Sequence, residues 1–138
     1  MAANIDQYLG FMAEANKMGG DIIVFPEYGV SGVSFSVVED REAAREFMVV
    51  GEVGRNYCSG GEYVNNNDEL MEMIGCGAHN NNIYVVVNIG EMVNCTHAQI
   101  ECKHEDGFNT FNTNLVFDRS GTLIAKYWKQ NLFLGANL

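Results

Sequence analysis

The chain has 138 residues, 47% hydrophobic and 19% charged, and 18 acidic against 8 basic residues leave a net charge of -10. Such a profile describes one globular domain and excludes a disordered or fibrous chain; the acidic surface also repels phosphate backbones, which excludes nucleic-acid binding. No apolar run reaches the ~18 residues of a membrane-spanning helix, and no basic region followed by an apolar core opens the chain as a leader would.

Ile5, Tyr8, Leu9, Met12 and Ala15 repeat at three and four, which predicts an amphipathic helix over about 4–18, with Asn4 as its cap and Gly19-Gly20 as its stop. Ile22 to Phe25 is a continuous apolar run, as in a strand buried on both faces, and Pro26 ends it just before Glu27. Residues 28–36 read as loop, 39–48 as a short helix and 49–66 as irregular chain. A second helix is predicted from Asp68 to His79, with Leu70, Met71, Met73, Ile74 and Ala78 on its apolar side and Asn67 as its cap. Ile83 to Ile89 reads as another buried strand, followed by a long polar loop over 91–110. Thr113 to Phe117 and Thr122 to Trp128 read as two strands around the turn Asp118-Arg119-Ser120-Gly121, and Lys129 follows directly. This order predicts an α/β layered architecture.

Glu27 and Lys129 both follow strands, and ligand sites in α/β folds gather at the carboxyl ends of strands. A carboxylate against apolar walls has its pKa raised and can serve as a general base; a lysine beside it can stabilise negative charge on a substrate oxygen. Taken singly, each residue is better explained as a solvated loop side chain. The words around them carry more.

Asp21-Ile22-Ile23-Val24-Phe25-Pro26-Glu27 resembles the glutamate motif of the nitrilase, or carbon–nitrogen hydrolase, superfamily, and Lys126-Tyr127-Trp128-Lys129-Gln130-Asn131-Leu132-Phe133 resembles its lysine motif. Within the superfamily, Asn80 to Gly90 and Phe111 to Asp118 resemble the biotinidase and vanin (pantetheinase) branch. The resemblance implies part of a four-layer α-β-β-α sandwich, with Glu27 as general base and Lys129 as holder of the tetrahedral oxyanion. It also implies a linear amide as small-molecule substrate, such as pantetheine or a biotinyl amide, and neither a cofactor nor a metal. The family's third catalytic residue is a cysteine that forms a thioester, and it lies beyond the lysine after another strand. The chain ends at Leu138 and its four cysteines all precede the lysine motif. Residues 1–138 are therefore expected to be a partial domain, without its first strand and without its nucleophile. A non-catalytic secreted binding module on the same fold is the alternative, and either reading admits a homo-oligomer.

Four cysteines permit a disulfide framework, and none of their spacings suits zinc. The vanin-like branch has a comparable cysteine pair in the loop that holds Cys95 and Cys102, and further cysteines near Cys58 and Cys76, which implies the pairs Cys95–Cys102 and Cys58–Cys76. Asn94-Cys95-Thr96 fits the N-glycosylation acceptor pattern. Together these features point to a secreted or cell-surface protein. Two positions depart from the branch: Trp128 stands where it often has His, an exchange expected to reshape the pocket wall, and Ala136 follows Gly135 where it commonly has Glu. His79, His97 and His104 receive no catalytic role.

Overall fold

The computed structural model describes residues 2–30, 51–60, 68–98 and 100–131. Most of the loop expected over 28–36, the helix expected over 39–48, the cap Asn67 and the Gly135-Ala136 pair lie outside the described residues.

Helix α1 (Ala2–Lys17) buries Ile5, Tyr8 and Met12 with Leu9 and Ala15 packed alongside, the stripe expected from the spacing. Its end is closed by Gly19, at φ +75°, and by the Gly20 N–H donating to Ala15 O at 2.8 Å. A left-handed residue just past a helix is one that glycine adopts without strain. The start differs from expectation. Asn4 lies inside the first turn, and its Nδ2 donates to Gly29 O at 3.1 Å, tying the helix to the loop after β1.

Strand β1 (Ile22–Val24) is short, and the apolar run does not mark a strand buried on both faces: Ile22 and Val24 are exposed while Ile23 faces the core. Helix α2 (Asp68–Asn80) buries Leu70, Met71, Ile74 and Ala78, each large apolar side chain contributing about 1.5–3 kcal/mol by leaving water. Gly77 makes room for Met12 and Leu9 where the two helices meet.

Strand β2 (Tyr84–Asn94) and strand β3 (Phe108–Phe117) correct the long loop expected over 91–110. Ten pairs, from Val85↔Phe117 to Asn94↔Phe108, join them in antiparallel register, and only the chain between Asn94 and Phe108 leaves the sheet. The stretch reads as loop because it is rich in polar residues, yet Glu91 and Asn109 within it are buried, as are Asn112 and Thr113 just beyond. Polar side chains tolerate burial when each finds a partner across the sheet. Strand β4 (Leu123–Trp128) follows the predicted turn, in which Asp118 Oδ1 accepts from Ser120 N–H, Ser120 Oγ and Thr122 N–H, and Gly121 takes φ +83°.

The sheet order is β1-β2-β3-β4, with β1 parallel to β2 and the other neighbours antiparallel. The two helices cover one face, where Val85, Val87, Ile89, Leu115, Phe117 and Leu123 form the core. Ile22, Val24, Tyr84, Ile124 and Tyr127 are the large apolar side chains of the sheet that stay exposed. Both expected disulfides are present: Cys58–Cys76 ties the 51–60 segment to α2, and Cys95–Cys102 closes the loop between β2 and β3.

Candidate active site

Two reversals of direction make β4 run parallel to β1, so the carboxyl ends of both strands lie at the same end of the sheet. The pairing of β1 continues one step past Val24, with the Phe25 N–H donating to Val86 O at 2.9 Å. Pro26 has no N–H to extend it, and the chain turns off the sheet at Glu27. The Lys129 N–H donates to Asn112 O at 2.8 Å, which holds the residue after β4 to the middle of β3. Both edge strands thus stop short of the two long central strands. Their terminal side chains meet over the polar residues that β2 and β3 present there.

Lys129 Nζ lies 2.5 Å from Glu27 Oε1, and Asn112 Nδ2 donates to the same oxygen at 2.5 Å. No donor among the described residues meets Oε2. The hydrogen bond from Lys129, then that from Asn112, and lastly the lysine's charge hold the Glu27 carboxyl below its ordinary range, against a smaller opposing effect of burial. This reverses the expectation of a raised pKa: the carboxylate is half exposed and cation-paired rather than walled in. The Tyr28 phenol moves up, first through burial and then through the Glu27 charge.

Beneath Glu27 lies a set of asparagines. Asn88, Asn112 and Asn114 share one face of the sheet, since Asn88 pairs with Asn114 and Gly90 with Asn112. Asn88 Nδ2 donates to Asn112 Oδ1 at 2.6 Å and to Asn114 Oδ1 at 2.9 Å, while Asn88 Oδ1 accepts the Tyr28 N–H at 2.8 Å. These asparagines stand within the segments that carry the family resemblance, but the sequence assigns them no role. A usable signal was there, because Asn112 and Asn114 alternate with Phe111, Thr113 and Leu115 at the two-residue period of a strand.

The opposite face carries a second polar centre. Glu91, fully buried, accepts from Lys126 Nζ at 2.7 Å and Gly51 N–H at 3.4 Å on one oxygen, and from Trp128 Nε1 at 2.7 Å and Thr113 Oγ1 at 3.0 Å on the other. Trp128 stacks on Phe111, with ring centroids 4.2 Å apart. Its ring therefore packs on the side of the sheet away from Glu27 and Lys129.

None of the four cysteines offers a thiol, since all are in disulfides. Asn94 ends β2 in a turn of its own: its Oδ1 accepts from Thr96 N–H, Thr96 Oγ1 and His97 N–H. His79 lies in the last turn of α2 and its ring contacts Arg119 O; no histidine lies at the Glu27–Lys129 pair.

The carbon-nitrogen hydrolase family profile matches residues 1–137. The chain belongs to this family. It is 37% identical over 138 residues to the pantetheinase of Sus scrofa and 34% identical over 135 residues to the biotinidase of Takifugu rubripes. Those alignments cover 98% and 96% of this chain and 26% of each relative, so the chain spans about a quarter of the length of the curated relatives it matches. It falls in the pantetheinase–biotinidase branch. The fold is nitrilase-like. A carbon-nitrogen hydrolase from Helicobacter pylori superposes at a TM-score of 0.62 with 13% identity, covering 99% of this chain and 37% of the other. An N-terminal amidase superposes at 0.58 with 17% identity, covering 97% of this chain and 26% of the other. The described residues of this chain contribute one sheet and one helix layer to that architecture. Among them, no helix is long and apolar enough to cross a membrane.

Proposed function

We propose that this chain carries the general base and the oxyanion-stabilising lysine of an amidase that cleaves a linear carbon–nitrogen bond. The observation that carries the reading is the geometry of Glu27: one carboxylate oxygen is held by Lys129 and Asn112, while no donor among the described residues meets the other. Ionised and oriented, that second oxygen can take a proton from a nucleophile. Lys129 commits one of its three N–H donors to Glu27 and keeps two for an oxygen that becomes negative as the tetrahedral intermediate forms. The nucleophile of this reading is a cysteine thiol from outside these residues, in keeping with a partial domain over 1–138. The relatives' names suggest pantetheine or a biotinyl amide as the substrate class.

Secretion or display at the cell surface accompanies the proposal. Two disulfides suit an oxidising compartment, and Asn94 is half-buried at the start of an exposed turn, with Thr96 Oγ1 on its Oδ1. The same reading admits a homo-oligomer.

The test uses two proteins: the 138-residue chain and the full translation product of its gene, both from a secreting host. The full product is expected to release amine from a pantetheine-type or biotinyl amide, and E27Q or K129A to lose ~100-fold or more of kcat. Unchanged turnover in E27Q would refute the base assignment. Turnover by the 138 residues alone, abolished in K129A, would refute the placement of the nucleophile. A full product without turnover that still binds the amide would instead support the binding-module reading.

A further inference from the structure

We propose that Asn88 is a positioning residue for Glu27, acting through Asn112 by fixing which end of the Asn112 amide faces the carboxylate. The inference rests on the reading of Glu27 as the base, but its geometry stands independently. An asparagine amide can sit in either of two orientations with similar shape and opposite hydrogen-bonding character. A base supported by such an amide is held only if its NH2 end points the right way.

The structure supplies a polarity. The Tyr28 backbone N–H can only donate, and it donates to Asn88 Oδ1 at 2.8 Å. The Asn88 Nδ2 must then face the sheet, where it donates to Asn112 Oδ1 at 2.6 Å and Asn114 Oδ1 at 2.9 Å. With its oxygen so engaged, Asn112 presents Nδ2 to Glu27 Oε1 at 2.5 Å. The relay begins on the residue next to the carboxylate it ends on, so it closes a ring around the turn after β1. Tyr28 itself is held at φ +55°, a conformation a bulky L-residue rarely adopts, and this conformation accompanies the aim of its N–H at Asn88. Asn88 is 5% exposed and Asn112 3% exposed, so water competes little for these bonds.

Without Asn88, Asn112 Oδ1 loses its buried donor, and the acceptor-only carboxylate of Glu27 and the Tyr28 phenol are left to orient the amide. The amide is then held at one end only, and the hydrogen bond it gives to the carboxylate is weakened. The expected consequences are a Glu27 carboxyl that titrates at higher pH and a second carboxylate oxygen no longer held toward its target.

The experiment is NMR titration of the 138-residue chain, following the Glu27 side-chain carboxyl carbon and the Asn88, Asn112 and Asn114 side-chain NH2 groups. In the unmodified protein the Asn112 NH2 signals are expected to move with the Glu27 titration and to sit downfield of free amides. Asn112 signals indifferent to Glu27 would overturn the proposal without any variant. Asn88→Ala, and Asn88→Ser should the first fail to fold, are expected to shift the Glu27 titration upward; in an Asn112→Ala background the same changes are expected to add nothing. An Asn88 effect that persists without Asn112 would mean a merely structural role and would also refute the relay. Because the readout is titration rather than turnover, failure of the amidase reading would leave this result intact and interpretable.

Discussion

Glu91 tests the packing of the second polar centre most directly, because all four of its partners offer it a hydrogen. A glutamine of the same shape must turn its NH2 toward one pair of them. Facing Lys126 and Gly51, it meets two groups that cannot accept. Facing Trp128 and Thr113, it can use the hydroxyl, which rotates, but not the indole N–H. E91Q thus loses the ion pair with Lys126 and strands at least one donor, a loss of about 2 kcal/mol. E91A removes the carboxylate altogether. Breaking a buried pair costs about 3–5 kcal/mol. Lys126 is 26% exposed and regains some water, which places E91A near the low end, about 3 kcal/mol. Equilibrium urea unfolding can be followed on Trp128, the single tryptophan, whose indole donates to Glu91. With a slope typical of small proteins, E91Q should shift the midpoint down by roughly 1 M and E91A by more. An E91Q midpoint within about 0.2 M of the parent, at unchanged slope, would refute the claim that the centre requires a carboxylate.

Two other perturbations have defined signs. At Gly121, φ is +83° and an added Cβ would lie 2.8 Å from both Cys58 Cβ and Gly75 O, so G121A should lose about 2–4 kcal/mol. Gly54 has φ +95° but open space around it, so G54A should lose only about 1 kcal/mol; equal losses in the same denaturation assay would discount the steric part. Burial acts to raise the Asp118 carboxyl, but donors from Ser120 and Thr122 outweigh it and lower it. Its stabilising effect is therefore full above the ordinary carboxylate range and fades as pH falls through the lower folded value. Unfolding midpoints measured from pH 7 down to 3 should fall less steeply in D118N than in the parent, and parallel curves would exclude that role.

Much of the scaffold is legible along the chain. The period of Ile5, Tyr8, Met12 marks α1, that of Leu70, Met71, Ile74, Ala78 marks α2, and Asp118 to Gly121 marks the tight turn. These signals are local, because side chains within a few residues of one another determine helix faces and turns. The proposed catalytic pair is legible only as two words, around Glu27 and around Lys129, whose resemblance to a family supplies the roles proposed for them.

The sequence by itself determined the apolar periods, the turn chemistry and the charged residues placed just after strands. Only the tertiary structure decided that 91–94 and 108–112 are strand, because a buried polar residue is recognised by the partner across the sheet and not by its neighbours in the chain. The same reason governs the site. Glu27 and Lys129 meet since β4 runs parallel to β1, and the lowered carboxyl, the asparagine relay and the placement of Trp128 on the far face all follow from register. Register is a relation between distant segments, set by which faces are buried together.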